Sequence, residues 1–202
     1  MNEPARHHRP VRRADLTTLL DGLSATEPFG REEVAEATAA AVISHGRSGQ
    51  SDSLVDLADR VGLQTLAELW RDSEPDTLAG ALWALYLLRT WCQTNGEEVT
   101  RLWRAGRPLA PADEVVAGVA DFADPQAILS LAESVLSGAY RGDFAVALER
   151  AAAFFRIVSL GRIERADDGP DGDRARELAS RNAAVAAGLT AAARRWRAAP
   201  LD

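Results

Sequence analysis

Charge chemistry in this sequence falls to arginine. All 23 basic residues are arginine and none is lysine, so the amine needed for a Schiff base, a pyridoxal-phosphate anchor or a P-loop is missing. Codon usage in a GC-rich genome and avoidance of lysine-directed tagging both account for that composition. Arg89 follows the apolar run 78–88, and Arg156 lies near the distal end of a second, 144–160. A buried guanidinium is costly unless a carboxylate or an acidic ligand meets it, so this pair is a candidate clamp for a small anion. Arg101, Arg104 and Arg107 cluster in sequence around Trp103. Guanidinium groups stack on indole, and Trp and Arg dominate interaction hot spots, which makes these four residues a candidate partner-binding site.

A third candidate lies at 54–71. The sequence SLVDLADRVG, a glycine turn at Gly62 and LQTLAELWRDS resemble a DNA-binding helix-turn-helix, with Ala58 where the helices would cross and Leu63 after the turn. Arg60, Gln64, Thr65 and Arg71 would face nucleic acid. The general motif places apolar anchors ten and thirteen residues after the alanine, and Glu68 and Arg71 stand there instead.

Catalytic constellations are harder to assemble. His7 and His8 are neighbours in a terminal tail, and His45 lies before a Gly-rich stretch with no nucleophile elbow. The single cysteine, Cys92, allows no internal disulfide and sits in the apolar run, where a thiol is usually inert. Glu32, Glu33 and Glu36 lack the Glu-x-x-His pairing of a carboxylate metal bundle. Asp167, Asp171 and Gly172 fit a calcium loop, but Gly169 and Leu178 stand where oxygen ligands are required. The expectation is no catalytic residue, no metal and no cofactor.

The elements that would position these residues are all helical. No stretch shows the period-2 alternation of a strand, and 47% hydrophobic residues suffice for one core. The pattern predicts an all-α, single-domain bundle of about eight to ten helices around two long apolar helices, 78–94 and 144–160. These two are expected to be mostly buried and packed against each other. Asp76 is expected to cap the first, Asp143 to cap the second and Gly161 to end it. Asp124 with Pro125 marks another strong helix start, and Gly80 with Ala84 a notch for a neighbouring helix. A short helix leading to a long apolar one occurs twice, at 66–92 and 131–160. Aligning Asp76 with Asp143 puts Arg89 on Arg156, which suggests a duplication.

The domain reading is a disordered basic tail at 1–13, a helical core at 14–165, an acidic Gly/Pro linker at 166–173 and a basic amphipathic helix at 174–199. Arg6, Arg9, Arg12 and Arg13 against Glu3 give the tail +3, so the rest carries −10 to reach the net −7. So acidic a body disfavours phosphate backbones and suits docking of the basic C-terminal helix in cis or across a dimer, with a membrane surface or nucleic acid as other takers. The apolar run of the first long helix is shorter than the ~20 residues of a membrane span, and no leader-like h-region opens the sequence. These features predict a cytoplasmic, non-enzymatic interaction or regulatory protein with a protein partner or a second copy of itself. The alternatives are a helix-turn-helix regulator, for which nucleic acid stays open, and a sensor of a small anion at Arg89 and Arg156.

Overall fold

The computed structural model describes residues 30–47, 68–110, 125–141, 143–167 and 169–198. The basic tail and most of the 54–71 segment lie outside them. Among the described residues every regular element is helical: α1 (Arg31–Arg47), α2 (Leu78–Thr94), α3 (Gly96–Gly106), a 3-10 turn (Arg107–Leu109), α4 (Pro125–Arg141), α5 (Phe144–Glu164) and α6 (Pro170–Ala198). None is long and apolar enough to cross a membrane.

Caps explain several boundaries. The Asp143 carboxylate accepts from the amides of Ala145 at 2.9 Å and Val146 at 3.3 Å, satisfying donors that open α5. The α2 cap is Thr77, one residue later than expected, with Oγ1 accepting from the Gly80 amide at 3.2 Å. Asp76 is occupied elsewhere, paired with Arg195 of α6 at 2.6 Å. The acidic stretch at 166–173 is also partly helix, because α6 begins at Pro170, where a fixed φ suits the first turn.

The expected pairing of α2 with α5 is not what forms. Both helices bury much of their length, but their mutual contact is minor. The main neighbours of α5 are α6 and α3, and that of α2 is α4. The reason lies at Gly161, which does not end α5 but sits inside it, as the helix runs on to Glu164. A Cβ on Gly161 would stand 1.9 Å from the Leu102 carbonyl oxygen, and one on Gly106 would stand 1.8 Å from that of Ile157. The backbones of α3 and α5 therefore touch through two glycines, which makes α3 a closer neighbour of α5 than α2 is. Above it Trp103 stacks on Phe154, with centroids 5.1 Å apart.

On its other flank α5 carries α6, whose inner face is Ala179, Ala186, Leu189, Ala192 and Ala193. Alanine keeps these two helices close, and Ser159 Oγ donates to the Ala179 carbonyl at 2.8 Å. The basic helix thus packs along α5 of its own chain. Arg195 and Arg197 pair with Asp76 and Glu149 of other elements, whereas Arg176 and Arg181 pair within α6 with Asp173 and Glu177. By contrast α2 keeps an outward stripe of half-buried Trp83 and Tyr86 with Leu87, the last 40% exposed.

Gly161→Ala is predicted to cost about 1–3 kcal/mol through overpacking, although alanine is the better helix former. Thermal melting would show a fall of about 2–4 °C per kcal/mol. Gly169→Ala, where an added Cβ meets nothing within 4 Å, is the control expected to stay unchanged.

Candidate functional site

A hollow opens where α1, the start of α2, the start of α5 and the end of α6 converge. It measures about 540 Å³. Ala37 and Ala40 of α1, Leu78, Phe144, Ala192 and Trp196 make its apolar walls, and Glu36, Asp76 and Arg195 stand at its rim. The Trp196 and Phe144 rings meet edge to face at 4.7 Å, which fixes the aromatic corner. A second hollow of about 240 Å³ is bounded by Arg31, Glu32, Leu69, Asp72, Ser73 and Glu74. Glu32, Glu36 and Ala40 are spaced by four and share one stripe of α1, so the two hollows lie end to end. The two hollows follow one another along α1 from Arg31 to Ala40, about 14 Å at 1.5 Å per residue, and are taken together as a trough.

Each wall has an identifiable anchor. The Trp70 indole donates to Thr38 Oγ1 at 3.1 Å in the interior, joining α1 to the 68–77 segment. Arg31 donates to the Glu68 carbonyl at 3.2 Å and pairs with Asp72 at 3.2 Å. Glu36 Oε1 accepts from the Ala79 amide at 3.2 Å, placing a carboxylate at the positive end of α2. The opposite wall is held by small residues: a Cβ on Gly80 would lie 2.1 Å from the Glu74 carbonyl oxygen, and one on Gly188 would lie 2.5 Å from Pro75 Cβ. Glu74 and Pro75 are thus clasped between α2 and α6. The Gly80 notch receives this loop rather than a helix.

The residues singled out by sequence are scattered. Trp103 is 1% exposed and stacked in the core, so it cannot anchor a partner. Arg101 and Arg104 are exposed, with Arg101 Nε donating to the Glu97 carbonyl at 3.4 Å, and Arg107 is half-buried. Arg156 donates to Thr190 Oγ1 of α6 at 3.2 Å. Arg89 lies on α2, which barely meets α5, so the two arginines do not form a clamp between those helices. Arg71 is engaged by Glu68 at 3.4 Å and Asp72 at 3.6 Å; Arg60, Gln64 and Thr65 lie outside the described residues.

Sequence reasoning missed two features. One is Arg162, whose guanidinium lies 5.2 Å from the Trp91 ring centroid and 3.2 Å from Glu98, joining α5 to α2 and α3. The other is the trough itself, whose wall residues read one by one as ordinary surface or core. The local signal was Glu32 and Glu36, two acids one turn apart on the α1 stripe that continues to Ala40. Comparison with protein families, with curated proteins and with solved structures returns no match.

Cys92 contributes no nucleophile at neutral pH: burial pushes its thiol up from 9.0 to about 12. Because the folded value is the higher, the stability this thiol contributes is full below pH 9 and is lost as pH rises toward 12. A thiol reagent such as DTNB at pH 8 is predicted to label the native protein at the rate of global opening, and the urea-unfolded chain at once. Rapid stoichiometric labelling of the native state would contradict this.

Proposed function

We propose that this is a non-enzymatic, intracellular interaction protein that engages a protein partner through the trough between α1 and the 69–78 segment. The observation that supports this reading is the trough's form. An apolar floor from four helices, open along one side and bordered by charged groups, matches the grooves that receive an amphipathic helix. Its length of about 14 Å accommodates roughly nine helical residues, or two and a half turns. Such a helix would present anchors at i, i+3, i+4 and i+7. Trp196 supplies an aromatic contact at the deep end, the residue type most often found where interface energy concentrates. In this reading α6 serves twice: it closes the core along α5, and its last turns bring Ala192, Arg195 and Trp196 to the trough.

A photo-cross-linking diazirine side chain at Ala37, an exposed trough position, tests the proposal in cells. The expected result is a discrete adduct with a cellular protein that is absent when the same side chain is placed at Ala183, on the exposed side of α6. Equal labelling from both positions, or none from Ala37, would overturn it.

A further inference from the structure

The trough carries more charge than its apolar floor requires. Glu32, Asp72 and Glu74 border one end, and Glu36 and Asp76 the other, against Arg31 and Arg195. Both arginines are paired inside the trough, Arg31 with Asp72 at 3.2 Å and Arg195 with Asp76 at 2.6 Å. What remains is the charge of Glu32 and Glu74 at the end near Arg31, and of Glu36, whose Oε1 already accepts from the Ala79 amide, farther along α1. From this we infer that the occupant is a cationic amphipathic helix of a partner protein, with an apolar stripe on the trough floor and basic side chains along its flanks. The inference rests on the trough being the binding site.

Three physical points favour that occupant over others. An anionic or neutral helix of the same shape would leave Glu32, Glu36 and Glu74 facing like charge or buried without a counter-ion, and like-charge juxtaposition costs several kcal/mol. The chain's acidic balance, net −7, draws a basic segment toward the molecule before contact and raises its association rate. The floor, built from Ala37, Ala40, Leu78 and Trp196, rewards an apolar stripe that a purely polycationic chain lacks. Because the carboxylates sit on the rim, they contribute chiefly selectivity and rate, with the apolar contact supplying the residence time.

Fluorescence anisotropy on the full-length protein separates these claims. The probes are three labelled helical peptides that share one leucine stripe and carry arginine, glutamine or glutamate on the flanks. The arginine peptide is expected to bind at least about tenfold more tightly than the glutamine peptide at low salt, with the advantage shrinking as salt shortens the screening length. The glutamate peptide should not bind. Glu32→Gln with Glu74→Gln should remove most of the arginine peptide's advantage while leaving the glutamine peptide unchanged. Ala37→Trp, a substitution at an exposed position that fills the floor, should abolish binding of both, with circular dichroism confirming an unchanged fold. Equal affinity of the arginine and glutamine peptides, both lost in Ala37→Trp, would overturn the charge inference and leave the trough reading standing. Binding unaffected by Ala37→Trp, or no binding by any peptide, would overturn both.

Discussion

The contact on which this structure depends is the meeting of two backbones at Gly106 and Gly161. Any Cβ at either position would occupy the space of the other helix's carbonyl oxygen, 1.8–1.9 Å away, so the distance between α3 and α5 is set by the absence of side chains. Glycine inside a helix costs about 1 kcal/mol in propensity, and here close approach of two long elements offsets it. With α3 on that face, α5 turns its alanine-rich flank to α6, and the aromatic stack of Trp103 on Phe154 seals the crossing. Arg162, the residue after Gly161, then reaches both Trp91 and Glu98 and ties α2 to the pair where α2 and α5 make only minor contact.

The same device recurs at the trough. Gly80 and Gly188 accept the Glu74–Pro75 backbone from opposite sides, which fixes the 69–78 wall against α2 and α6. The opposing wall, α1, is held in place by the Trp70–Thr38 and Glu36–Ala79 hydrogen bonds. Its outer positions at Ala37 and Ala40 are too small to fill the space between. The hollow is therefore a consequence of small residues on one helix facing a loop pinned elsewhere.

Much of the helical layout was legible in the sequence, because caps and apolar periods are local signals. Asp143 caps α5, Pro125 opens α4 and the runs from Leu78 and Phe144 are helices. What failed were statements that depend on tertiary partners. Gly161 carries the signature of a helix stop, and nothing within its own helix reveals that Leu102 will press on it. Asp76 is the better intrinsic cap than Thr77, but Arg195, more than a hundred residues later, claims it. Trp103 among arginines looks like a surface anchor until Phe154 is placed beside it. The trough was invisible for the same reason, since Glu36, Leu78, Phe144 and Trp196 come from four separate helices and none is unusual alone.

Alanine-methyl and indole NMR of the intact protein, titrated with a cationic amphipathic helical peptide, addresses the central claim most directly. The account predicts that the Ala37, Ala40 and Ala192 methyls and the Trp196 indole shift together and saturate at one equivalent, while Ala151 and Ala152 inside α5 stay in place. Shifts centred on the outward stripe of α2 at Trp83 and Tyr86, with the trough methyls unmoved, would contradict it.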